Sequence, residues 1–205
     1  KLGEIKMSTY YYNGTTIIDY YNHLDSNDLF ASGYGGNDTI WGHTGNDDIW
    51  GDSGDDYLYG WSGNDYISGG SGYDYISGGS GYDYLIGGSG SDDVFGGYGN
   101  DTLIGSNPSS YNSGVNEYDN LTGGAGADTF VLGDSYEAYY DGWGFAIIKD
   151  FSFLEGDKLQ VFGSSSDYSF SHNNWYGDSS LDTQIYYNGD LIAVLEDAYT
   201  STTFI

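Results

Sequence analysis

The chain has no cysteine, a single proline and only four basic residues, Lys1, Lys6, Lys149 and Lys158. Each shortage removes a class of explanation. Without cysteine there is neither a disulfide framework nor a thiolate metal site. Four cations face 31 acidic residues, for a formal charge of -27, so phosphate backbones and anionic membrane surfaces are repelled and nucleic acid is excluded as a partner. No apolar run approaches the roughly 20 residues of a membrane-spanning helix, and membrane insertion is not expected. The N-terminal KLGEIKMSTYYYNGTT lacks the apolar centre of a cleaved signal peptide, and Met7 stands as a candidate start.

What the chain does have is glycine, acid and aromatic rings. Its 24 tyrosines, nine phenylalanines and five tryptophans separate it from disordered acidic tails. The 35 glycines fall largely in a strict period rather than a linker-like scatter. Over 33–104 eight nonapeptides follow without a break: GYGGNDTIW, GHTGNDDIW, GDSGDDYLY, GWSGNDYIS, GGSGYDYIS, GGSGYDYLI, GGSGSDDVF and GGYGNDTLI. Each has glycine first and fourth and an aliphatic residue eighth. Asp38, Asp47, Asp56, Asp65, Asp74, Asp83, Asp92 and Asp101 stand sixth.

Weaker units flank the block. In 14–22 Asp19 is sixth; in 23–31 Asp28 is sixth and Phe30 eighth, leaving Ser32 as one extra residue. Residues 1–32 thus read as an N-terminal segment with degenerate capping repeats. A loop insertion over 105–113 holds the proline, after which 114–122 and 123–131 recover the period with Asp119 and Asp128. The repeat domain therefore spans 33–131. From 132 to 205 the period gives way to FAIIKDFSF, DKLQVFG, DTQIYYN and DLIAVLEDA, read as a separate β cap. Asn188-Gly189 within it is a two-residue hairpin signal.

The spacing points to calcium. Glycines first and fourth let the backbone turn sharply and present carbonyl oxygens, and the sixth-position carboxylate closes the cage. The next three residues form a short strand whose middle side chain points inward. Two units make one turn of eighteen, and stacked turns lie about 4.8 Å apart, near enough to share an ion. Hard oxygens in number suit calcium better than magnesium, which demands a tighter octahedron. One inward aliphatic residue per nine cannot offset the ordering of so much glycine, so folding and metal binding are expected to be one event. About eight to ten ions, roughly one per loop between adjacent turns, would bring the charge of -27 to about -11 to -7. For Asp19, Asp28 and Asp119, in degenerate units, turn capping serves as well as ligation.

These units resemble the RTX family of haemolysin-type calcium-binding nonapeptide-repeat proteins. The resemblance implies an all-β fold: a right-handed parallel β-roll, or β-solenoid, followed by a C-terminal β-sandwich-like cap. It also implies that first, third and fifth carbonyls join the aspartates as ligands. Those positions are Gly33, Gly35 and Asn37; Gly42, Thr44 and Asn46; Gly51, Ser53 and Asp55; Gly60, Ser62 and Asn64; Gly69, Ser71 and Tyr73; Gly78, Ser80 and Tyr82; and Gly87 with Ser89. Two ion columns follow, Asp38 with Asp56 and Asp74, and Asp47 with Asp65 and Asp83. Asp128, Asp150 and Asp157 match a further calcium near the cap of secreted members. The ending LIAVLEDAYTSTTFI is similar to an uncleaved type I secretion signal, which implies a secreted or cell-surface protein.

No catalytic motif accompanies the repeats. HExxH and G-x-S-x-G are absent, and His23, His43 and His172 lie far apart in sequence. The expectation is a non-enzymatic calcium-binding protein with a structural role, self-assembling through aromatic faces or solenoid ends. Outward Tyr57, Tyr75, Tyr66 and Tyr84, with Trp41, Tyr59, Phe95, Trp50, Ile86 and Ile104, would form ladders on its faces. A glycan-binding module is the alternative, as is the calcium-binding tail of a larger hydrolase or toxin.

Overall fold

A computed structural model describes residues 9–15, 17, 20–22, 27–106, 117–133, 138–140, 144–174 and 181–196. The strands are β1 (Thr9–Asn13), β2 (Tyr20–Asn22), β3 (Asp28–Ser32), β4 (Thr39–Thr44), β5 (Asp48–Ser53), β6 (Tyr57–Ser62), β7 (Tyr66–Ser71), β8 (Tyr75–Ser80) and β9 (Tyr84–Ser89). They continue as β10 (Asp93–Tyr98), β11 (Thr102–Ser106), β12 (Tyr118–Ala125), β13 (Thr129–Val131), β14 (Phe145–Ile148), β15 (Lys158–Gln160), β16 (Tyr168–Asn173), β17 (Asp182–Tyr187) and β18 (Asp190–Leu195). Odd-numbered strands β1 to β15 form one parallel sheet, and even-numbered β2 to β14 form the other. Successive units therefore alternate between two faces, and the chain is a parallel β-roll.

Strand alternation builds the core. The eighth-position side chains Ile40, Ile49, Leu58, Ile67, Ile76, Leu85, Val94 and Leu103 point inward and are wholly buried, while seventh and ninth positions face out. Leu121, Phe130 and Ile148 extend the same interior row. Ile104, expected on the outer face, is instead buried.

Three boundaries differ from the sequence reading. At the N-terminal end, β3 pairs with β5 so that Ala31 faces Ile49 and Ser32 faces Trp50. Ala31 is thus the inward eighth residue and Asp28 falls fifth, not sixth. The extra residue lies between Asn22 and Asp28, because Tyr21 faces Ile40. Reading forward from Gly14 had carried the slip to Ser32. β1 adds a strand before that unit, with Tyr12 facing Ala31.

At the insertion, Ser106 still pairs with Gly88, while Asp93 faces Asn120 and Thr102 faces Thr129. The coil keeps Gly105 and Ser106 and adds its nine extra residues further along, beyond Ser106 and before Tyr118. Residues 107–116 lie outside the described residues.

The roll also continues past residue 131. β14 pairs with β12, Leu121 facing Ile148, and β15 pairs with β13, Phe130 facing Leu159. Among the described strands β16, β17 and β18 run antiparallel to one another, and β18 adds in parallel to β14 as an extension of one sheet. Among the described residues the cap is an antiparallel meander added to the end of one sheet. Asn188 and Gly189 join β17 to β18 with φ of 50° and 98°, as a turn needing two positive values requires.

Candidate metal centre

The coil stacks the sixth-position aspartates in two columns. In the first, the Asp38 amide donates to Asp56 Oδ1 at 2.7 Å, Asp56 to Asp74, Asp74 to Asp92 and Asp92 to Asp119, each at 2.9 Å. In the second, Asp47 donates to Asp65 at 2.8 Å, Asp65 to Asp83 and Asp83 to Asp101 at 2.9 Å, and Asp101 to Asp128 at 2.8 Å. Oδ1 of each acceptor thus takes the amide of the preceding turn.

The other oxygen is left over. Oδ2 of Asp56, Asp65, Asp74, Asp83, Asp92 and Asp101 is buried without a hydrogen-bond partner. A side chain at Gly51 would collide with Asp56 Oδ2 and with the Gly69 carbonyl of the next turn, so two acceptors converge there. Buried acceptors facing each other with no donor are costly, and a proton or a cation is what satisfies them. No group of three or more His, Cys, Asp or Glu side chains able to hold a metal occurs among the described residues, so an ion here must draw on backbone carbonyls. Third-position carbonyls of Ser53, Ser62, Ser71, Ser80 and Ser89 each accept a glycine amide from the preceding turn and keep a second lone pair.

Electrostatics agree. Burial, foremost, pushes the carboxyls of Asp56, Asp83 and Asp101 up to about 6, Asp74 to about 7, Asp65 to about 8 and Asp92 to about 9. Neighbouring carboxylates raise Asp56, Asp65, Asp74, Asp92 and Asp101 further, against the lowering effect of the amide bond. Protons or metal must neutralise the columns.

The fifth position has a second use that spacing did not reveal. Oδ1 of Asn37, Asn46, Asp55 and Asn64 accepts the fifth-position amide of the next turn, at 3.1, 2.8, 2.9 and 2.8 Å. Recurrent Asn or Asp there was the available signal. Asp28 joins this row, accepting the Asn46 amide at 2.9 Å, while Leu29 takes the sixth place below Asp47. Asp28 is thus not in an ion column, and Asp19 lies outside the described residues.

At the far end, Asp157 continues the second column, accepting the Asp128 amide at 2.9 Å and the Ser152 amide at 2.8 Å. Asp150 spends both oxygens on the amides of Gly123 and Gly124, at 2.9 and 2.7 Å, which argues for a structural role. In the first column Asp119 Oδ2 accepts the hydroxyl of the buried Tyr140, a residue sequence reasoning missed.

Outside, rings stack along the coil: Tyr57 on Tyr75 at 5.9 Å, Tyr66 on Tyr84 at 5.6 Å and Trp41 on Tyr59 at 5.9 Å. An open groove lies between the loops and the first of these rows, lined by Asn37, Thr39, Asp55, Tyr57, Tyr73, Tyr75 and Asp93.

Comparison with known families matches four segments, the overlapping 32–67, 41–76 and 68–103 and the separate 114–135, to the RTX calcium-binding nonapeptide repeat. A comparison with curated proteins gives no match.

Proposed function

We propose that this chain, built over residues 32–103 and 114–135 on RTX calcium-binding nonapeptide repeats, is a non-enzymatic extracellular protein whose roll folds as calcium fills its two aspartate columns. The observation that carries this reading is the set of six buried Oδ2 atoms without donors. In it, the column aspartates hold the ions together with first-, third- and fifth-position carbonyls of adjacent turns. Calcium supplies the positive charge that lets stacked carboxylates stay ionised inside the coil. Extracellular modules bind with dissociation constants of about 10⁻⁴ to 10⁻³ M, so such a chain stays open in a calcium-poor cytosol and closes outside. The role is structural, with stacked rings and the edge strands β1, β2, β15 and β16, terminal in their sheets among the described residues, offered to further copies.

Circular dichroism during a calcium titration, with magnesium as control, tests the coupling. The strand signal should rise with calcium and not with magnesium; a full signal already present in chelator would sink it. Light scattering in the same titration reports assembly.

A second reading, glycan adhesion, is favoured by the groove, where the exposed Tyr57 and Tyr73 stand among Asp55, Asp93 and Asn37. Rings that pack on sugar faces beside hydroxyl-binding acids suit a glycan. Binding on a glycan array that Tyr57→Ala and Tyr73→Ala abolish would support it, and a blank array would count against it.

A further inference from the structure

Asp119 departs from the column pattern at a single atom. Its Oδ1 accepts the Asp92 amide at 2.9 Å, as the pattern requires. Its Oδ2, by contrast, accepts the hydroxyl of Tyr140. A side chain added at Gly87 would meet Asp92 Oδ2 and the Gly105 carbonyl of the next coil. One added at Gly105 would meet Asp119 Oδ2 and the Tyr140 hydroxyl oxygen. The phenol oxygen therefore stands where the next coil's carbonyl stands elsewhere in the column.

At the position that faces Asp119 the next coil presents no carboxylate. Ala146 faces Asp119 across β12 and β14, in the sixth position, and is fully buried. An ion beyond Asp119 would find one carboxylate where the other sites have two. Tyr140 is itself wholly enclosed and packed in the hydrophobic cluster with Leu121 and Ile148, so its hydroxyl is held in place by its ring.

We propose that the Tyr140 hydroxyl replaces the ion that would otherwise lie beyond Asp119, ending the first column without metal and giving the coil of β12 and β14 a metal-independent foothold. This rests on the calcium reading of the columns, yet half of its test needs no calcium. The columns then differ in kind: the first closes on a phenol, whereas the second runs on to Asp157.

Hydrogen exchange of the full chain in chelator measures the foothold. Amides of β12 and β14 should be protected in the wild type, and Tyr140→Phe, which keeps the ring and deletes only the hydroxyl, should exchange there at least tenfold faster. In saturating calcium, bound ions are then counted per folded chain by elemental analysis. Tyr140→Phe should match the wild type, because its ring still fills the space, while Tyr140→Ala should bind one ion more. Wild-type amides unprotected in chelator, or a Phe variant exchanging at the wild-type rate, would overturn the proposal. So would a folded Ala variant with an unchanged ion count. Should the Ala variant fail to fold, the exchange result decides alone. Failure of the calcium titration with intact Tyr140-dependent protection would strike the calcium reading and leave the foothold standing.

Discussion

Between 33 and 104 each nine-residue unit buries its eighth-position aliphatic side chain and one carboxylate, whereas the end of the molecule buries Ile148, Phe151, Ile185, Ile192, Val194 and Leu195 with few acids among them. The first region stacks like charges in its interior; the second closes over apolar contacts and three antiparallel strands. Asp119 and Asp157, at the join, have their oxygens engaged by Tyr140 and Ser152, so the change of cohesion happens within one coil. The difference teaches that one continuous sheet can enclose stacked carboxylates along most of its length and close over hydrophobic burial at one end.

The largest test of that contrast is removal of calcium. Limited proteolysis in chelator should cut within 33–106 while 145–173 and 181–195 remain resistant; uniform digestion of both would erase the distinction. Next come paired truncations. Asp74→Ala removes the acceptor of the Asp56 amide and one column carboxylate, and should lower calcium affinity by tenfold or more in calorimetry. Ile192→Ala should instead cost about 2–5 kcal/mol of thermal stability with little change in calcium affinity.

A smaller effect separates the regions by pH. The column carboxyls are raised in the folded state, to about 7 for Asp74, 8 for Asp65 and 9 for Asp92, from the ordinary Asp value of about 3.9. The metal-free roll therefore binds protons that the unfolded chain releases. Its stability is greatest below about pH 4 and is lost as pH rises through about 6 to 9. In chelator, strand signal should grow as pH falls from 9 to 5, while the protection of β16 to β18 should stay level. No growth would mean that the columns are not what opposes folding.

The smallest effect lies inside the roll. Tyr34 holds the left-handed second position with φ 68°, where later units carry glycine, as at Gly70 with φ 112°. Relief of a left-handed non-glycine residue, offset by glycine's greater unfolded freedom, should make Tyr34→Gly stabilising by about 0.5–1 kcal/mol in thermal melts. Gly70→Ala should destabilise, because its Cβ would strike the Asp52 backbone.

The repeat was legible because its spacing carries both the turn chemistry and the ligand. Glycine, acid and aliphatic recur at fixed offsets, so Asp38 to Asp101 and their two columns could be placed from the sequence. Two further coils were not, since neither keeps the whole signature around its inward aliphatic: ahead of Ile148 stands Gly144 in the fourth place but Ala146 in the sixth, and ahead of Leu159 stands Asp157 in the sixth place with Ser152 and Glu155 in the first and fourth. Gly156-Asp157-Lys158-Leu159 was the visible remnant. Asp28 was placed one position out because the inserted residue precedes it, and pattern matching cannot tell where in a degenerate unit a residue was gained. Tyr140 was invisible for another reason: its partner lies 21 residues away, and no local pattern encodes that meeting. The tail resembling a secretion signal divides, with Ile192 to Leu195 in the cap's interior and 197–205 outside the described residues.

Within the two columns the amide-to-carboxylate links all run in one sense, each peptide reaching toward the C-terminal end for its acceptor. Injury to such a row is directional. A lost carboxylate at Asp92 strands the amide of Asp74 behind it, while the amide of Asp92 still finds Asp119 ahead. The column is a queue in which every member leans on the one in front, and the front of the queue rests on Tyr140.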